Sequence, residues 1–333
     1  MKSRHVLHLL AVLLVLAVPA IGAAQQPQFV LKAGHDQTTD ASYHQLEIKF
    51  AELVAARTNG RVRVDVYPGA QLGSELEMTE GLRLGTIDFS AASVGNITPI
   101  LPKTGILGVP YVIHNKTHRE RLTDANGPFF KRLAQVVDES NVGIKLLGIT
   151  TAGVRSVYGT KKPIRTPDDL KGMKIRTMTS DVQVQSWKAL GAIPTPIAFA
   201  EVYTALQSGV IDGAENAPVF FYTMKHHEPA KYYSLTEHMI ATGLFMMSKK
   251  TYDRLPPDLR DIIVRAGAEA SAYERVVDEK LNEENLKKLI AAGVKVNEVD
   301  KEPFIQRVAP LQDKVAQDTG ATDLLELIRK AAK

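Results

Sequence analysis

A seven-residue pattern occurs twice in this chain. Leu82-Arg83-Leu84-Gly85-Thr86-Ile87-Asp88 is matched by Leu206-Gln207-Ser208-Gly209-Val210-Ile211-Asp212, 124 residues further on. Each copy reads as the end of a helix, a glycine that takes the left-handed C-cap position, and a strand carrying Ile-Asp. The separation is too long for a solenoid repeat and fits two domains built on one plan. The alternative is coincidence between two ordinary helix-to-strand turns.

The rest of the chain alternates in the same manner. Phe29 to Gly34 reads as a strand. Asp40 to Asn59 reads as a helix with Leu46, Phe50, Leu53 and Val54 on one face and Gly60 as its stop. Arg61 to Tyr67 sets Val62, Val64 and Val66 against Arg61, Arg63 and Asp65, the period of a half-buried strand. Ser74 and Glu77 have capping-box spacing ahead of a helix to Leu84, and Ile87 to Ala92 follows as a strand. Further on, Val142 to Ile149 and Met173 to Thr177 read as strands. Pro167 to Leu170, Ser180 or Asp181 to Leu190, and Phe199 to Ser208 read as helices. After Pro256 and Pro257 the pattern is helical to about Ala292, with a strand at Val294 to Val299 and a helical C-terminus. This order predicts an α/β fold with helix-covered sheets. Ligands of such sheets sit outside the carboxyl ends of the strands.

The N-terminus reads as a targeting signal. Lys2, Arg4 and His5 precede an apolar run from Leu9 to Val18, and the small residues Gly22 and Ala24 fit cleavage after Ala24. The run is about half of the ~20 residues a membrane span requires. Residues 1–24 are therefore expected to be a signal peptide, leaving a soluble chain of 309 residues outside the inner membrane, enough for two domains. The sequence has no cysteine, which excludes disulfides, thiolate metal sites and a lipid-anchored N-terminus. Its formal charge of +4 falls to +2 without Lys2 and Arg4, and the remaining charges are interleaved, as in Lys280 to Lys288. Neither a nucleic-acid partner nor stable membrane insertion is expected.

Lys174-Ile175-Arg176-Thr177 carries the chief candidate. Arg176 falls near the carboxyl end of a strand, where a guanidinium gives a carboxylate two parallel hydrogen bonds in one plane. Read by itself, Arg176 is either such a clamp or a solvated charge on an edge strand. Arg155, in Gly153-Val154-Arg155, offers a second anion contact or an exposed loop charge. Asn216 suits a carboxylate or hydroxyl ligand, or a turn. Phe199, Phe220 and Trp187 are candidates for an apolar wall, with Trp187 the one expected in the core. His114 and His118 have helical spacing but no third ligand, and His226-His227 diverge on a helix, so no metal or other cofactor is expected. No nucleophile turn, phosphate loop or acid pair points to catalysis.

In combination these motifs resemble the solute-binding subunit of tripartite ATP-independent periplasmic (TRAP) transporters, of the dicarboxylate-binding (DctP) type. The resemblance covers almost all of the chain after the signal. It shows in Phe50-Ala51-Glu52-Leu53-Val54, in Gly85-Thr86-Ile87-Asp88, and in Asp169 to Arg176. It is strongest in Pro194-Thr195-Pro196 through Phe199 to Leu206 and on to Asp212-Gly213-Ala214-Glu215-Asn216. It implies a two-domain periplasmic binding protein fold with a hinge, a central cleft and a long helix spanning both domains. The lobes implied are 25–152 with about 241–282, and 153–240 with about 283–333. The resemblance also implies that Arg176 pairs with a substrate carboxylate and that Arg155, Asn216 and Phe199 are further ligand contacts. Asp36, Glu75, Ser93 and Thr179 fall where members place variable contacts. The open protein would offer Arg176, and closure of the other lobe would bring Arg155, Asn216 and Phe199 round the ligand. The implied partners are a small organic-acid anion (a C4-dicarboxylate, sugar acid or related carboxylate) and the TRAP membrane permease subunits. Two other readings are a periplasmic ligand-binding partner of a sensor and a periplasmic enzyme.

Overall fold

The computed structural model describes residues 26–333, so the expected signal peptide lies outside the described residues. Nine strands form one sheet: β1 (Phe29–Gly34), β2 (Val62–Tyr67), β3 (Phe89–Ser93), β4 (Ile144–Gly159), β5 (Lys174–Thr177), β6 (Ile193–Pro196), β7 (Gly213–Asn216), β8 (Tyr232–Ser248) and β9 (Lys295–Glu298). The order is β2-β1-β3-β8-β4-β7-β5-β6, with β9 added to the free part of β8. Two strands run the length of the molecule. β4 and β8 pair antiparallel from Ile144↔Ser248 to Gly159↔Tyr232. One end of β8 pairs with β3, from Phe89↔Met247 to Ser93↔Gly243, and its other end pairs with β9. The far end of β4 pairs with β7 through Ser156↔Asn216 to Gly159↔Gly213.

The repeated pattern is a repeated piece of structure. In the first copy the helix Glu75–Leu84, opened by the Ser74–Glu77 capping box, ends on Gly85 at φ 79°. The second copy turns at Gly209, φ 73°. Asp88 then accepts the Lys32 backbone N–H of β1 at 2.8 Å while its own N–H donates to the Lys32 carbonyl at 3.1 Å. Asp212 does the same with Lys174 of β5, at 2.9 and 2.8 Å. Each aspartate thus ties its strand to the neighbouring parallel strand, β1 in one half and β5 in the other.

Helices cover both faces. The helix Ser42–Arg57 buries Leu46, Phe50 and Val54, the predicted face. The helix Pro257–Ala291 is 35 residues, about 50 Å at 1.5 Å per residue. Its first half supplies Leu259, Ile263 and Ala266 to a core with Leu31, Phe50, Phe89 and Phe245. Its last turns supply Leu289 to a second core with Tyr158, Leu206, Phe221 and Tyr233. Between them Gly267 and Ser271 lie against β4 so closely that a Cβ on Gly148 would sit 2.0 Å from Ser271 Oγ. Among the described residues no helix is long and apolar enough to cross a membrane.

Several elements differ from the sequence reading. The strand expected at Val142 to Ile149 continues to Gly159. The segment expected to be helical from Phe199 is a short turn to Glu201 followed by the helix Val202–Gln207. β7 follows the second Ile-Asp unit, where a strand was expected, whereas β6 and β8 carry no sequence expectation. Trp187 is fully buried against Ile175, Phe304 and Val308, in the core as expected.

Candidate functional site

The cleft lies outside the carboxyl ends of the parallel strands in both halves, where an α/β sheet leaves room for a ligand. One wall comes from β4, β7 and β5. It carries Arg155, Asn216, Arg176 and Met178, with Phe199 and Phe220 beside them. The other wall comes from the segments that follow β1 and β3 and from the helix at Glu75. It carries Asp36, Gln37, Glu75, Ser93 and Asn96. Ala152 of β4 forms part of the floor, and the space amounts to about 300 Å³, part of it open to solvent.

The two arginines are in opposite states. A guanidinium has five N–H donors. Arg155 uses four: Nε and Nη2 donate to the Glu215 carboxylate, Nη2 also to the Glu215 carbonyl at 2.8 Å, and Nη1 to Asn216 Oδ1 at 2.7 Å. Both partners are buried, Arg155 3 % exposed and Glu215 0 %. Burial opposes both charges, and their mutual attraction overcomes it. Arg155 is raised above the ordinary arginine value, and Glu215, helped by His238, is brought down to about 2. Arg176 is equally buried, but only its Nε is engaged, to the Ile197 carbonyl at 2.8 Å. Its two terminal nitrogens have no hydrogen-bond or ion-pair partner among the described residues. Burial lowers its pKa, against the pull of Glu215. The Phe199 ring lies 5.9 Å from the guanidinium carbon and meets Phe220 edge-on at 6.1 Å. Asn216 Oδ1 is taken by Arg155 and by the Ala217 N–H at 2.9 Å, which leaves its amide nitrogen as a donor beside the cavity.

The facing wall is acidic. Glu75 accepts from the Ser93 N–H at 3.0 Å, Ser93 Oγ at 3.3 Å and Asn96 Nδ2 at 2.7 Å. Burial raises its pKa in spite of these donors. Asp36 is pushed well above the carboxylate range by burial and then by Glu75, with Arg176 pulling the other way.

Seven of the eight residues picked from the sequence line this cleft: Asp36, Glu75, Ser93, Arg155, Arg176, Phe199 and Asn216. Thr179 does not. It stands behind Asn96, to whose Oδ1 its N–H donates at 3.2 Å. The expectation that Arg155, Asn216 and Phe199 close onto Arg176 from across the cleft is corrected by the strand order. β4, β7 and β5 are neighbours, so these residues share one wall with Arg176, and the acids face them. Glu215, Asn96 and Gln37 were not picked. The signal for Glu215 was an acid inside the otherwise small and apolar Gly213-Ala214-Glu215 stretch.

A buried guanidinium fork at the strand ends of a two-part α/β molecule defines a binding protein for a small anion. The chain matches the model of the bacterial extracellular solute-binding protein family 7 (DctP) over residues 33–318, and it belongs to that family. It is 31 % identical to the 2,3-diketo-L-gulonate-binding periplasmic protein YiaO of Escherichia coli K12, across 98 % of this chain and 99 % of that one. A TRAP periplasmic solute-binding protein from Sulfitobacter sp. NAS-14.1, solved with bound β-D-galacturonate, superposes with a TM-score of 0.85 at 35 % identity, covering 90 % of this chain and 99 % of its own. A counterpart from Roseobacter denitrificans with bound β-D-glucuronate gives 0.85 at 32 % identity, covering 90 % and 98 %.

Proposed function

We propose that this chain is the TRAP solute-binding subunit for a sugar-acid monoanion of the uronate type, which it captures outside the cytoplasm and passes to a membrane permease. The observation that carries the reading is the open fork of Arg176 set opposite an acidic, hydrogen-bonding wall. The ligand carboxylate takes the two terminal nitrogens of Arg176, the Asn216 amide N–H and the one remaining N–H of Arg155. Ring hydroxyls meet Asp36, Glu75 and Gln37, and the apolar face of the ring lies on Phe199 and Phe220. A second carboxylate at the far end, as in a C4-dicarboxylate, would meet Asp36 and Glu75 and no cation to neutralise it, and a buried charge without a partner is costly. The uronates bound by the Sulfitobacter and Roseobacter relatives support this choice.

The lobes of this reading are 25–152 with about 241–282, and 153–240 with about 283–333. Support for the boundary comes from β4, whose pairing with β8 slips between Thr151 and Val154, opposite Thr242 and Ile240. Closure brings the acidic wall onto a ligand already held by Arg176. Calorimetry with D-glucuronate, D-galacturonate and succinate tests the assignment. Tight binding of a uronate and none of succinate is expected, and R176A should weaken uronate binding by about 2–5 kcal/mol. Tight succinate binding, or an R176A chain with native affinity, would refute it.

A further inference from the structure

The segment after β3 and the segment after β5 meet across the mouth of the cleft, and the chain is shaped for that contact. A Cβ on Gly95 would lie 2.6 Å from Met178 Cε, and one on Gly105 would lie 3.0 Å from Val182 Cγ2. Among the described residues three hydrogen bonds cross this seam. Gln183 Nε2 donates to the Gly108 carbonyl at 2.8 Å, and the Thr179 N–H donates to Asn96 Oδ1 at 3.2 Å, with Thr179 Oγ1 at 3.4 Å from the same oxygen. Asn96 differs from Gln183 in what its other end does. Its Nδ2 holds the Glu75 carboxylate at 2.7 Å, at the cleft surface. A carboxamide has a donor end and an acceptor end on one rigid plane. A rotation that improves one contact moves the other.

We propose that Asn96 is the positioning residue that couples recognition of ligand hydroxyls at Glu75 to closure of the seam at Thr179. The inference rests on the sugar-acid reading above. In the open protein Asn96 and Glu75 lie on one side and Thr179 on the other. A hydroxyl donating to Glu75 fixes the carboxylate, Glu75 fixes the Asn96 amide, and Asn96 Oδ1 is then set to receive the Thr179 N–H. A ligand that fills the Arg176 end but leaves Glu75 untouched lacks this link. The differential contact between open and closed states is what a ligand needs in order to shift the population.

The test uses N96A, N96D and Q183A in the full chain, with a fluorophore pair at E139C and K188C, which a chain without cysteine takes up only at those two sites. N96D keeps an acceptor for Thr179 and loses the donor to Glu75. Affinity for D-glucuronate, the fraction closed at saturating D-glucuronate and thermal unfolding without ligand are read for each. N96A and N96D are expected to bind at least about tenfold more weakly, the scale of one hydrogen bond to a charged group. They should also stay partly open when saturated, with unliganded unfolding unchanged. Q183A should weaken binding yet close fully at saturation. If N96A binds as the native chain does, or binds weakly but closes fully when saturated, the coupling is overturned. If the native chain itself ignores both uronates, the functional reading falls, and this inference with it. Native binding combined with a silent N96A overturns the coupling alone.

Discussion

Arg155 and Arg176 stand on one wall and are both buried, but Arg155 is already neutralised inside the protein and Arg176 has no ion-pair partner among the described residues. The difference predicts opposite consequences for stability. Glu215→Gln leaves Arg155 buried with half its partner gone, and removing one member of a buried ion pair costs about 3–5 kcal/mol. Urea unfolding at neutral pH should show the loss, and the chain should bind ligand poorly because Arg155 no longer fixes Asn216. Arg176→Ala removes a buried charge without a partner, so the unliganded chain should unfold at a higher temperature than the native one, although its uronate binding should be weakened as above. Arg176→Lys keeps the charge but loses the planar fork, and weak binding is expected. Arg176 was legible because its strand and its neighbours matched a known arrangement. Glu215 was not, because the sequence does not say that its carboxylate turns to Arg155, 60 positions away. Thr179 was misplaced for a related reason: its neighbour Met178 lines the cleft, while Thr179 itself spends its N–H on Asn96.

The crossing of β4 between the two halves has its own chemistry. Where its pairing with β8 slips, the Thr151 and Gly153 N–H groups lose their ladder partners. Both are taken by carboxylates of the long helix: Thr151 N–H donates to Glu274 at 3.1 Å, and Gly153 N–H donates to Asp278 at 2.8 Å. Thr151 Oγ1 also donates to Asp278, at 3.1 Å. Gly153 is required here, since its φ is +70° and a Cβ would lie 2.5 Å from Ala217. Burial raises Asp278 to about 6 and Glu274 well above its usual range. Near them Arg119 pulls Asp278 down and Arg275 pulls Glu274 down. An acid whose pKa is raised on folding stabilises the fold below its unfolded value, and this is lost as pH rises through the folded value. For Asp278 that window runs from 3.8 to about 6. The loss amounts to roughly 3 kcal/mol. Asp278→Asn still accepts the Gly153 N–H and has nothing to titrate. Its denaturant unfolding should therefore fall less than the native chain's between pH 4 and pH 8, and an equal fall in both would count against the assignment. Elements were legible where one face meets solvent, as in Val62 to Tyr67. β8 was not, because from Thr242 to Ser248 it is buried on both sides, and a continuous apolar run carries no period. β6 was hidden by Pro194 and Pro196, tolerated because β6 ends the sheet.

At the scale of the molecule, the repeated Ile-Asp unit announced two halves on one plan, and both aspartates turned out to hold the same backbone position. The sequence could not show that the halves share strands. β4 and β8 belong to both, so neither half has a closed set of hydrogen bonds by itself. A chain ending at Ala230 lacks β8 and leaves an open edge on β3 and another along β4. It should show no cooperative unfolding transition by circular dichroism, and a sharp transition would mean that one half folds alone.

The pairing of Phe89 with Met247 also sets the order in which the chain can mature during synthesis. The strands made first must wait until some 160 further residues have left the ribosome before their sheet can close, and contacts so distant in sequence form slowly. The growing polypeptide thus cannot complete its sheet through most of its elongation. That is the condition a chain needs if it is to be threaded through a narrow export channel before it folds.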